Sequence, residues 1–163
     1  MSSETTVSIP SLDETDRVLL AALRNDGRAS HRDLSSQTGL ALATVNRRIR
    51  RMEQAGVIKG YSAIIDPFRV GWELNVIIGL RIDKGHLRAT QEAIAKDPRV
   101  FSVYDVTGEW DGMVLARVRN RADLDDLAKT TLSSEHIQRT NTMVVLHTVQ
   151  EDPIPAIPGP NAL

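Results

Sequence analysis

Cysteine is missing from all 163 residues, which excludes a disulfide framework, a thiolate zinc site and a cysteine nucleophile. No excess charge of either sign is present: 20 Lys and Arg stand against 21 Asp and Glu, for a net charge of -1. A globally basic nucleic-acid coat is thereby excluded, although a local basic patch is not. No apolar run approaches the roughly 20 residues that span a bilayer. The opening residues lack the basic start and unbroken apolar stretch of a signal peptide, so the expectation is a cytoplasmic protein with no membrane partner. His31, His86, His136 and His147 share no metal-ligand spacing. There is no Walker-type phosphate loop, no dinucleotide-binding glycine pattern and no nucleophile elbow around a serine. Neither a metal, a cofactor nor an enzymatic activity is expected.

What is present is the ordinary balance of a folded protein, with 41% hydrophobic and 25% charged residues. Residues 1–11 are rich in Ser and Thr and read as a flexible arm. Residues 151–163 hold four of the seven prolines and read as an extended tail. Asp13 and Asp16 form a capping-box pattern that opens a helix with Val18, Leu19, Ala22 and Leu23 on one face. That helix is expected to stop at Asn25-Asp26-Gly27, with Gly27 suited to a left-handed cap. Ser30 and Asp33 repeat the pattern for a second helix ending at Gly39, and a third runs from Leu42 to Ala55 before Gly56. This is a helix-turn-helix pattern, and the β-branched run Val57 to Ile65 suits the strand of a wing.

Residues 63–72, with Pro67 and Gly71, break the periodicity and mark a hinge. Beyond it, Leu74, Val76, Ile78, Leu80 and Ile82 alternate as one face of a strand. A helix follows over 86–96, then strands over 100–106 and 113–118 joined by a turn from Gly108 to Gly112. A second helix spans 122–132, with Asp123, Asp125 and Asp126 suiting its N-terminal dipole, and a last strand spans 138–149. The order β-α-β-β-α-β is the ferredoxin-like split motif.

The third helix is the most informative segment. At 100° per residue Val45, Ile49 and Met52 form an apolar stripe, while Ala43, Asn46, Arg47 and Arg50 point the opposite way and Arg51 borders them. Four arginines stand against one glutamate in this helix. Cations close to phosphates release counterions, and short residues near a helix start admit approach to base edges. Ala43, Thr44, Asn46 and Arg47 are therefore assigned to base readout, and Arg50 and Arg51 to phosphates. Ser30 and His31, opening the preceding helix, are placed against the DNA backbone. Arg48, at the edge of the stripe, reads as a structural ion-pair partner. The same charge run also suits a solvated face or a protein-interaction module.

These residues resemble a family. Leu12-Asp13-Glu14 with Asp16, Arg28 with Ser30 and Leu34, Thr38-Gly39-Leu40, Val45 with Arg48, Ile49, Met52 and Gly56, Ile58 with Tyr61, and Val106 to Asp111 are similar to the feast/famine regulators, the Lrp/AsnC family. Arg139 to Leu146 resembles the family's last strand, so the resemblance covers residues 12–150. It implies a winged helix-turn-helix, a hinge strand and a C-terminal domain for effector binding and oligomerisation. It further implies dimers, often four in a ring, that bind amino acids between dimers and regulate transcription. Two positions depart from the family: Ala41 replaces a common Ser cap, and Trp110 replaces Tyr or Phe in the effector loop.

The loop Gly108-Glu109-Trp110-Asp111 has chemistry that suits an amino acid. Glu109 and Asp111 would accept from its ammonium group, and the N–H groups near Gly108 would serve its carboxylate. Thr140 and Thr142 share a strand face that in the family adjoins this loop. A tight turn and a β-prone strand would select the same residues. The resulting expectation is an α+β chain: residues 12–62 a winged helix-turn-helix, 63–72 a hinge, and 73–150 a ferredoxin-like effector and oligomerisation domain. It would bind promoter DNA as a homodimer or an octamer, under control of an amino-acid effector, with Trp72 and the apolar hinge residues as candidates for the dimer seam. The competing expectation is an amino-acid-sensing module without direct DNA binding.

Overall fold

The computed structural model describes residues 11–151 and 157. The expected N-terminal arm, apart from Ser11, and the proline-rich tail, apart from Glu151 and Ile157, lie outside the described residues. The chain divides into two compact units, with the boundary between Ile64 and Ile65.

In the first unit, α1 (Glu14–Asn25), α2 (His31–Thr38) and α3 (Leu42–Gln54) enclose Leu19, Leu34, Val45, Ile49 and Met52, all essentially inaccessible to water. Burying side chains of this size stabilises the unit by about 1.5–3 kcal/mol each. Asp13 caps α1 and Ser30 caps α2, each in a reciprocal capping box with the acidic residue three positions on. Gly39 ends α2 in the left-handed conformation at φ 70°. Gly27 does not adopt that conformation. Instead, α1 ends through extended Asp26, whose N–H donates to the Ala22 carbonyl. The expected wing strand over Val57 to Ile65 does not form: among the described residues this segment pairs with no other strand. Its β-branched residues satisfy local propensity, but a strand also needs a neighbour for its N–H and C=O groups. Val57 and Ile58 fold back on the helical core, while Ile64 is 97% exposed.

The second unit holds β1 (Leu74–Ile82), α4 (Leu87–Ile94), β2 (Val100–Asp105), β3 (Gly112–Val118), α5 (Arg121–Lys129) and β4 (Ile137–Val144). The strands form one antiparallel sheet in the order β2-β3-β1-β4. Val76, Ile78, Leu80 and Ile82 of β1, with Val114, Ala116 and Val118 of β3, pack against Ile94 of α4 and Leu127 of α5. Both helices therefore cover the same face. β4 ends at Val144, short of the expected Val149: the Val145 N–H still reaches the Asn75 carbonyl, after which Leu146 and Val149 are more than 90% exposed. β1 begins at Leu74, so nothing remains beside that stretch for β4 to pair with.

The acidic start of α5 does more than suit a dipole. Asp123 is buried between Arg99 and Arg119, and Arg99 also pairs with Asp97 and Asp126. Arg119 and burial oppose each other at Asp123, and the arginine wins, drawing the carboxyl down to about 2. Arg99 likewise holds the Asp97 carboxyl well below the usual carboxylate range.

Candidate DNA-binding face and effector loop

The apolar stripe of α3 decides which arginines face water. Arg47 and Arg50 project from the exposed side and, among the described residues, have no ion-pair partner. Arg48 and Arg51, one position further round, reach back to α1. Arg48 pairs with Asp13 and, at 3.2 Å, with Asp16; Arg51 pairs with Asp16. Asp16 is fully buried, and these guanidinium groups supply the partners that a buried carboxylate requires. Arg48 beside Asp13 holds that carboxyl below its ordinary range. The structural role expected for Arg48 matches this geometry. The phosphate role expected for Arg51 does not: its long side chain is committed to Asp16. An arginine's Cα direction does not fix where its guanidinium ends.

Ala43 and Asn46 are exposed and Thr44 is half-buried near the start of α3. No side chain caps Ala41, so the helix opens without the oxygen a Ser would supply. The Ser30 hydroxyl and N–H are both consumed by Asp33, which leaves Ser30 a cap rather than a free contact. His31 is exposed, and its Nδ1 lies 2.5 Å from Asn46 Oδ1, joining the first turn of α2 to α3. That link across the turn had no signal in the sequence.

In the second unit, the loop between β2 and β3 is tied down by Asp111. Its N–H donates to the Leu80 carbonyl, its Oδ2 accepts from the Ile82 N–H at 3.0 Å, and its Oδ1 accepts from Arg81 at 3.1 Å. The expected role of Asp111 in holding an ammonium group is therefore replaced by anchorage to β1. Gly108 turns at φ 116°, a conformation that favours glycine. Trp110 lies flat on β1 at Gly79, so close that a Cβ there would stand 2.6 Å from the indole. The Arg139 guanidinium sits 5.1 Å from the indole centre and 3.9 Å from Glu109.

Thr140 and Thr142 do not join this group. They pair with Leu80 and Ile78, whose side chains point into the helix-covered core, whereas Arg139 and Asn141 pair with Arg81 and Gly79 on the open face beneath Trp110. The polar residue that meets the loop is thus Arg139 rather than a threonine hydroxyl. Only the β1–β4 register reveals it.

The open face of the sheet carries Ile77, Met113, Leu115 and Met143, with Phe101 stacked on Arg117 at 4.3 Å. Their flanks are partly exposed. Among the described residues no helix is long and apolar enough to cross a membrane, and no cluster of His, Asp or Glu is arranged for a metal.

Residues 12–59 match a winged helix-turn-helix DNA-binding family model, and residues 75–155 match the Lrp/AsnC ligand-binding domain. An HTH-type transcriptional regulator of Pyrococcus abyssi is 38% identical over 141 residues, covering 86% of this chain and 96% of that protein. The crystal structure of a transcriptional regulator from Neisseria meningitidis in complex with L-Met superposes with a TM-score of 0.84 at 27% identity, covering 91% and 97% of the two chains. The feast or famine regulatory protein of M. tuberculosis complexed with L-methionine gives 0.79 at 32% identity, covering 90% and 100%.

Proposed function

The chain belongs to the Lrp/AsnC family of transcriptional regulators, and from that membership we propose how its two units divide the work. Residues 12–62 bind promoter DNA, 63–72 connect, and 73–150 bind an amino acid and pair with a second copy, leaving the chain no catalytic role. DNA is met by the outward face of α3: Ala43, Thr44, Asn46 and Arg47 at the bases, Arg50 at phosphates. The observation that carries this is the division of the α3 arginines, with Arg47 and Arg50 unpaired among the described residues while Arg48 and Arg51 hold the scaffold. A solvated face also carries unpaired cations; DNA is favoured because these stand beside the short Ala43 and Thr44 at the helix start, where base edges can approach and phosphates can be neutralised.

The effector is an amino acid, as in the L-methionine complexes of the two relatives. Glu109 takes its ammonium group, Arg139 its carboxylate, and the Trp110 ring forms the apolar wall beside the Gly108 turn. The open sheet face supports a homodimer, since Ile77, Leu115 and Met143 otherwise remain half-covered. Two recognition helices would then meet half-sites about one helical turn apart, roughly 34–36 Å, and gain affinity through effective concentration. An amino acid that changes how dimers assemble would change DNA binding reciprocally.

The test is light scattering coupled to size exclusion with each of the twenty amino acids, alongside salt-dependent binding to duplex DNA. A mass change with one or two amino acids, lost in the Arg139→Ala variant, supports the effector site. A constant mass with all of them, and DNA binding indifferent to Arg47 and Arg50, would overturn the reading.

A further inference from the structure

We propose that His31 is a positioning residue for DNA recognition, fixing which way the Asn46 carboxamide faces a base. The inference rests on the DNA-binding reading above and adds a residue that acts through another side chain. A surface carboxamide presents an acceptor and a donor that exchange places on a half-turn, so a free Asn offers either order. Here Asn46 is not free. His31 Nδ1 faces its Oδ1, and in the tautomer that carries its proton on Nδ1 the ring donates and the carboxamide oxygen accepts. In that tautomer a half-turn would set the Nδ2 hydrogens against the Nδ1–H.

The ring is launched from a fixed point. His31 is the first residue of α2, directly after Ser30, whose reciprocal bonds with Asp33 hold the helix start. Asn46 lies one turn into α3 on the outward side, between Ala43 and Arg50, and both side chains are exposed. The contact therefore spans the turn between the helices at the surface assigned to DNA. With the oxygen held on the His31 side, the acceptor–donor order of Asn46 matches adenine's N6 donor and N7 acceptor in one orientation only. Undoing one such hydrogen bond corresponds to about a fivefold loss of discrimination.

The test uses the full chain and a pool of random duplexes, with bound sequences counted for the wild type and the His31→Ala, His31→Gln and Asn46→Ala variants at two salt concentrations. Asn46→Ala should erase the preference at one position of each half-site and so identify it. His31→Ala should weaken the preference at that same position about fivefold and leave the other positions alone. His31→Gln, whose carboxamide accepts as readily as it donates, should leave that preference weakened as in His31→Ala. An unaltered preference in His31→Ala overturns the proposal. So does a uniform loss on all sequences with a flatter salt dependence, which would make His31 a phosphate contact. If the wild type enriches no sequence, base reading by α3 fails, and this inference fails with it.

Discussion

Gly79→Ala places a methyl group where the structure has no room for one. The added Cβ would stand 2.6 Å from Trp110 Cδ2 and 2.8 Å from Cε2, against the 3.5–4.0 Å at which carbon atoms attract. About 1 Å must be found. The backbone of Gly79 is already in ordinary strand geometry, so the substitution itself costs nothing there and gains about 0.5–1 kcal/mol in reduced chain freedom. The loop cannot simply lift, because Asp111, next to Trp110, is bonded to Leu80, Ile82 and Arg81 of the same strand. Overpacking of this kind costs about 1–3 kcal/mol, so after that gain the net destabilisation should lie between about 0 and 2.5 kcal/mol. Both tryptophans, Trp72 and Trp110, lie in the second unit, so a Trp72→Phe background isolates the reporter. The expected results are a red-shifted Trp110 emission and a lower urea midpoint for Gly79→Ala. In a Trp110→Ala background the cost should vanish, a coupling of about 1 kcal/mol or more. An equal cost in both backgrounds would refute the contact.

Further outcomes follow from the arginines and carboxylates. Arg47→Ala should cost about 1–3 kcal/mol of discrimination between operator and mismatched DNA, whereas Arg50→Ala should weaken all sequences alike and reduce the salt slope by about one, both read by titration across salt concentrations. Arg51→Ala should act on folding instead, lowering the stability of the helical unit by about 1.5–3 kcal/mol in denaturant melts, because buried Asp16 loses a charged partner. The carboxyls of Asp97 and Asp123 lie below their unfolded value of 3.8, so their stabilisation is complete above that pH; as pH falls it is lost toward about 2 at Asp123 and at still lower pH at Asp97. Urea midpoints of the second unit should fall across that window, with a shallower slope in Asp123→Asn.

Local chemistry made much of this fold legible. The capping boxes at Asp13 and Ser30, the stop of α2 at Gly39 and the alternation along β1 each depend on neighbours a few residues away, and all appear where the spacing places them. What stayed hidden depends on distant partners. Val57 to Ile65 has the composition of a strand, yet pairing decides whether a strand exists. Thr140 and Arg139 are equally compatible with either face of β4 until the register against β1 is known. Arg51 sits at the border of the outward face by angle, but its length carries the charge to Asp16. His31 and Asn46 are fifteen positions apart and meet only because two helices cross.

The α3 arginines alternate in assignment along one helix: Arg47 and Arg50 outward, Arg48 and Arg51 inward, each pair three residues apart. On the proposed assignment, holding the helix and reading DNA are written in separate letters of the same word. Ala43, Asn46, Arg47 and Arg50 can be exchanged for the residues of another regulator without disturbing the bonds to Asp13 and Asp16. On that assignment such a transplant should redirect the protein to a new operator at little cost in folding, which would make target choice the more evolvable property of this domain.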